Sequence, residues 1–110
     1  MTGIELMTAQ TLAASIQAGT APAIVDVRSR SEFARGHVPG AKHCSFWNIA
    51  SHLHEIAAEK SDAIVVYCGH GPRARWAAAT LRRCGFDRVM LLEGHWTRWV
   101  REGRPQELRR

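Results

Sequence analysis

Ala63-Ile64-Val65-Val66-Tyr67-Cys68-Gly69-His70-Gly71-Pro72-Arg73-Ala74-Arg75-Trp76-Ala77-Ala78-Ala79 reads as three consecutive pieces of backbone. The apolar, β-branched run from Ala63 to Tyr67 suits a buried strand, and the alanine-rich run from Pro72 onward suits a helix that reaches Cys84 and stops at Gly85. Between them, Gly69 and Gly71 let the chain coil tightly, and Pro72 is a natural first helical residue. A strand that turns directly into a helix aims the free N–H groups of the helix's first turn at the residue ending the strand. That residue is Cys68, so the thiol sits in an anion cradle, and such a cradle favours thiolate over thiol.

Working outward, Thr8 to Ile16 has apolar residues at helical spacing behind a threonine cap, with Gly19 as its stop. Ala23 to Val27 is a second buried strand, and Ser31 to Arg35 is one or two helical turns. Gly36-His37-Val38-Pro39-Gly40 is a turn, since two glycines and a proline share five residues. Ala41 to Ser45 reads as a brief strand, Trp47 to Lys60 as a helix, Arg88 to Leu92 as a final strand, and His95 to Arg101 as a closing helix. Strands alternating with helices at these intervals require crossover connections, hence a largely parallel sheet covered on both faces. Ligands of such sheets bind at the carboxyl ends of the strands, where Cys68, the Asp26 to Arg28 segment and Glu93-Gly94 all fall.

The 110 residues fit a single domain, 1–110, large enough to bury its own core. Hydrophobic residues are 45% and charged residues 23% of the chain, the balance of a soluble globular protein. No apolar run is long enough to cross a bilayer, and Met1-Thr2-Gly3-Ile4-Glu5 lacks the features of a signal peptide, so a cytoplasmic location is expected. Three cysteines without a Cys-x-x-Cys spacing argue against a disulfide framework and a zinc ribbon. His52 and His54, two apart on a helix, face different sides and share no metal. Residues 1–60 balance five Lys/Arg against five acids, whereas residues 61–110 hold ten arginines against five acids. That excess would draw small anions or an acidic partner toward Cys68, or would simply form a solvated helix face and an Arg109-Arg110 tail.

Several motifs in order carry a resemblance to the rhodanese family of sulfurtransferases: Asp26-Val27-Arg28 followed by Glu32-Phe33; Gly36-His37-Val38-Pro39-Gly40-Ala41; the strand and loop from Val65 to Arg73; and Leu92-Glu93-Gly94 with Trp96. The resemblance implies a three-layer α/β sandwich whose central sheet has five mostly parallel strands, with Cys68 as the sulfur carrier. It implies no metal and no organic cofactor. The substrates would be a small anionic sulfur donor such as thiosulfate and an acceptor that is cyanide or a thiol, a thiol protein included. Two departures stand out. The last motif, usually Glu-Gly-Gly, is Glu93-Gly94-His95, which sets an imidazole near the edge of the site. Pro72 brings no N–H to the loop, leaving Gly69, His70, Gly71, Arg73 and Ala74 as amide donors.

These residues would support a two-step transfer through a Cys68 persulfide, with the loop amides holding the anionic sulfur. Arg73 has two readings, a fork for sulfonate oxygens or a brace bonded to local carbonyls. Asp26 and Arg28 would pair and fix the rim, and Glu32, Arg35 and His37 are expected to be structural. No general base is needed for an ionised thiol, so His70 and His95 receive no catalytic step. Cys44 and Cys84 read as small buried apolar residues, and Trp47, Trp76, Trp96 and Trp99 as core or pocket wall. Phosphatases and arsenate reductases use a related loop with five residues between cysteine and arginine; here four separate Cys68 from Arg73, a ring better suited to a single sulfur atom. A binding module with an idle cysteine is the alternative of a different class. Nucleic-acid binding fits poorly, because the basic residues are not interleaved with aromatic ones.

Overall fold

The computed structural model describes residues 5–57 and 59–108; the Met1 to Ile4 start and the Arg109-Arg110 tail lie outside the described residues. At its centre is the strand β4, Ile64–Tyr67, all four residues of which are buried. Period-two alternation sends Ile64 and Val66 to one face and Val65 and Tyr67 to the other, and each set enters a separate core. Around β4 the sheet runs β1 (Glu5–Met7), β5 (Val89–Leu92), β4, β2 (Ala23–Asp26) and β3 (Lys42–His43), five strands whose ladders are all parallel. A sheet of this type needs cover on both sides. Helices α1 (Ala9–Ala18) and α5 (His95–Arg101) supply it on the Val65 and Tyr67 face, through Leu12 and Trp99. On the other face lie α4 (Pro72–Arg83), a 3-10 segment (Phe46–Ser51) and the single turn α3 (Leu53–Ile56). This is the five-stranded, three-layer α/β arrangement expected.

Local signals set the elements that carry the site. Thr8 caps α1 by accepting the Thr11 N–H at 3.1 Å, and Gly19 closes it in the left-handed region. Ser29 caps α2 (Arg30–Arg35) in a reciprocal box with Glu32. In α4 the buried residues are Ala74, Ala77, Ala78 and Leu81, a helical stripe whose small side chains seat the helix close to the sheet. Its first residue is Pro72, and Gly71, at φ 140°, holds a conformation that side chains disfavour.

Two expectations change, and one strand is new. The helix foreseen from Trp47 to Lys60 is broken: a 3-10 segment runs to Ser51, His52 leaves helical geometry, and α3 lasts one turn. Phe46 and Ile49 are three apart, which aligns them on one side of a 3-10 turn and lets both meet the sheet. The Ala41 to Ser45 strand shortens to Lys42–His43 at the sheet's edge. The strand β1, an exposed three-residue edge, carries no alternation of its own and exists through its pairing with Met90 to Leu92. No helix among the described residues is long and apolar enough to cross a membrane.

Candidate active site

Cys68 follows β4 and keeps its parity, pointing to the α4 face, where it is 1% exposed. Its loop is held by α5. The Trp96 N–H donates to the Cys68 carbonyl at 3.0 Å, and the Gly69 carbonyl receives the Thr97 N–H at 3.1 Å and the Thr97 hydroxyl at 2.8 Å. With these carbonyls turned to α5, the Gly71 N–H donates to Cys68 Sγ at 3.0 Å. The Gly71 carbonyl begins α4 by accepting the Arg75 N–H. The Cys68 N–H is taken by His95 Nδ1 at 3.2 Å. Among the described residues, the amides of Gly69, His70, Arg73 and Ala74 have no hydrogen-bond partner. They are the remaining donors for an anion at the loop.

Arg73 turns away from local carbonyls to a carboxylate on α2. Its Nη1 and Nη2 donate to Glu32 Oε1 and Oε2 at 2.8 and 3.3 Å, tying the first turn of α4 to α2. The pair is partly exposed. The Arg73 bond, with Ser29 assisting, pulls the Glu32 carboxyl down to about 2 despite burial. Hydrogen bonding to Glu32 in turn raises Arg73 above its usual range. Arg73 also overlies the loop, for a Cβ placed on Gly69 would lie 3.3 Å from its Nη2.

Asp26 and Arg28 form a second, fully enclosed pair at 2.6 Å. Arg28 also donates to the Gly36 carbonyl at 2.7 Å and lies 4.7 Å from the centre of the Trp96 ring. Burial opposes the Arg28 charge, yet its bonds to Asp26 leave it raised. Tyr67 completes the cluster, receiving the Val38 N–H on its hydroxyl at 3.0 Å, and its own ionisation is pushed up by burial and by Asp26. These residues do not reach Cys68. They fix Trp96, whose backbone does. Trp96 packs so close to Gly36 that a Cβ there would come within 3.2 Å of its ring.

The family model described as the rhodanese-like domain matches residues 8–102. The chain belongs to the rhodanese-like domain family. Among relatives of this rhodanese-like chain, a sulfurtransferase of Allochromatium vinosum is 34% identical over 82 residues, covering 74% of this chain and 75% of that one. The thiosulfate sulfurtransferase GlpE of Pseudomonas fluorescens is 37% identical over 76 residues, covering 69% and 68%. Among solved structures, the Alr3790 protein of Anabaena sp. superposes with a TM-score of 0.82 at 30% identity, covering 94% of this chain and 92% of that one.

Within the rhodanese-like frame, several side chains stand elsewhere than expected. Trp47 and Trp76 are 72% and 63% exposed, on the 3-10 segment and the outer side of α4; Trp99 is core, Trp96 packs behind the loop, and Trp47 lines a cavity away from it. Cys44 is buried, and burial raises its thiol, whereas Cys84 is half-buried at the end of α4; all three cysteines are free. His37 stacks on Phe33 and meets Glu107 in a short antiparallel bridge. His70 is exposed at the loop tip, but His95 is buried beneath the loop, not at its edge. Burial, then the charges of Arg75 and His70, lowers His95 to about 4. Among the described residues no three His, Cys, Asp or Glu side chains are grouped to hold a metal. A surface cavity of about 520 Å³ between Arg30, Cys44, Trp47 and His52 does not include the loop, and a cleft of about 340 Å³ is lined by Arg28, Glu32, Arg35 and Trp96. Two contacts were not foreseen, the pairing of Glu32 with Arg73 and the bonds of Thr97 to the Gly69 carbonyl. Thr97 gave no signal, whereas Glu32 was visible as the last residue of a Ser-x-x-Glu capping pattern.

Proposed function

We propose that this chain is a sulfurtransferase that moves a sulfane sulfur from an anionic donor of the thiosulfate type to cyanide or a thiol, with Cys68 as the carrier. The Gly71 N–H on Cys68 Sγ, 3.0 Å away in a loop with further unbonded amides, is the observation that carries the reading. The names of the relatives point to the same chemistry.

In the first step the Cys68 thiolate attacks the outer sulfur of the donor. A new S–S bond forms, the old one breaks, and its electron pair leaves on sulfite. The persulfide is itself an anion, so an amide that serves the thiolate also serves the intermediate, with Gly69, His70, Arg73 and Ala74 supplying donors to the sulfonate oxygens. Cyanide or a thiolate then attacks the terminal sulfur, and Cys68 leaves as thiolate. Charge balances in both steps without redox or metal cofactor. Arg73 acts as the brace that its bond to Glu32 makes it, and Asp26 with Arg28 keeps Trp96 behind the loop.

Intact mass measured after incubation with thiosulfate tests the reading. The parent should gain one sulfur that cyanide removes, and Cys68→Ser should gain none. Equal gain in the variant would move the carrier to Cys44 or Cys84 and refute the assignment.

A further inference from the structure

His95 is the one residue other than glycine among the described residues with positive φ, at 53°, directly after Gly94 at 77°. A bulky side chain in the left-handed region costs energy and persists where its surroundings over-determine it. Here they do. The ring is enclosed and its Nδ1 accepts the Cys68 N–H, while the next residue's N–H binds the Cys68 carbonyl. The Cys68 residue is thus gripped at its N–H and its C=O by consecutive residues, His95 and Trp96. Glycine, usual at this place in the motif, would be at ease in the backbone but would leave the buried Cys68 N–H without this acceptor.

Acceptance on Nδ1 fixes the tautomer. A neutral ring in this arrangement carries its proton on Nε2. That nitrogen lies beside Gly71, since a Cβ there would be 3.8 Å from it. Burial and the neighbouring charges of Arg75 and His70 keep the ring neutral.

We infer that His95 is a positioning residue for sulfur transfer, holding the Cys68 peptide through Nδ1 and turning Nε2–H to the Gly71 end of the loop as a neutral hydrogen-bond donor for the anionic substrate. The inference rests on the sulfurtransferase reading, and it assigns the departure from Glu-Gly-Gly a function in this chain.

Two variants and one spectrum test it. His95→Gly relieves the backbone but strands the buried Cys68 N–H, so the two effects oppose and its thermal midpoint should shift little, whereas kcat/KM with thiosulfate and cyanide should drop about tenfold for the loss of a buried hydrogen bond. His95→Asn tolerates the left-handed region and keeps an acceptor near the Nδ1 position but lacks the donor beside Gly71. It should restore most of kcat while KM stays raised several-fold. Imidazole nitrogen-15 spectra of the parent at pH 7 should show the Nε2–H tautomer. Full activity in His95→Gly, an Asn variant as slow as the Gly variant, or an Nδ1–H tautomer would each overturn the inference. If the parent itself takes up no sulfur, the sulfurtransferase reading fails, and the spectrum still decides whether His95 accepts from Cys68.

Discussion

Replacing Glu32 with Gln isolates the charge that ties α2 to α4. Gln retains a side-chain oxygen for the Ser29 N–H, which Glu32 Oε1 accepts at 2.8 Å, so the cap of α2 survives. What is lost is the ion pair with Arg73. The Glu32 carboxyl, held at about 2 against an ordinary 4.5, favours its ionised form by roughly 3 kcal/mol, each tenfold being worth ~1.4 kcal/mol. The two side chains are 32% and 30% exposed, so water screens the pair and about 1 to 2 kcal/mol of folding stability is expected from it. Because the folded carboxyl titrates below the unfolded one, this contribution is complete above 4.5 and is lost as pH falls through about 2. Urea unfolding of parent and variant from pH 7 to pH 2 should therefore show a gap of ~1 to 2 kcal/mol that narrows below pH 5 and closes near pH 2. Sulfur uptake by the variant should slow several-fold, since the first turn of α4 loses its tie. A gap that persists at pH 2, or no gap at pH 7, would refute the argument.

Two further substitutions probe the frame of the loop. Gly71→Ala meets no clash, the nearest atom to its Cβ being 3.8 Å away, but at φ 140° it should destabilise by ~1 to 3 kcal/mol and slow persulfide formation, read by calorimetry and mass gain. Asp26→Ala strands the Arg28 charge in the interior, and urea unfolding should report a loss of about 3 to 5 kcal/mol, whereas Asp26→Leu combined with Arg28→Met should cost much less.

What the sequence showed plainly was whatever local chemistry decides. The β4 to α4 passage was legible because β-branched alternation, two glycines and a proline each act within a few residues, and the strand and helix ends moved by only a residue. The strand β1 was not legible, because Glu5 to Met7 become a strand only when β5 stands beside them. The 3-10 segment was misread for a similar reason. Its residues suit a helix, but Phe46 and Ile49 must reach the sheet from a short connection. In the site, Cys68 and the glycine loop were readable from order alone. The partners that fix them were not, since Glu32, His95 and Thr97 arrive from α2 and α5 and no spacing within the loop foretells them.

The grip of α5 on the loop carries a consequence for how the protein is made. During synthesis β4, Cys68 and α4 emerge before residues 95 to 97, so the loop carbonyls first meet water and the Gly69 to Gly71 peptides are free to rotate. Only when α5 docks are the Cys68 and Gly69 carbonyls drawn outward and the Gly71 amide left facing the sulfur. The backbone grip on Cys68 is therefore completed last, by residues that follow the loop in the chain.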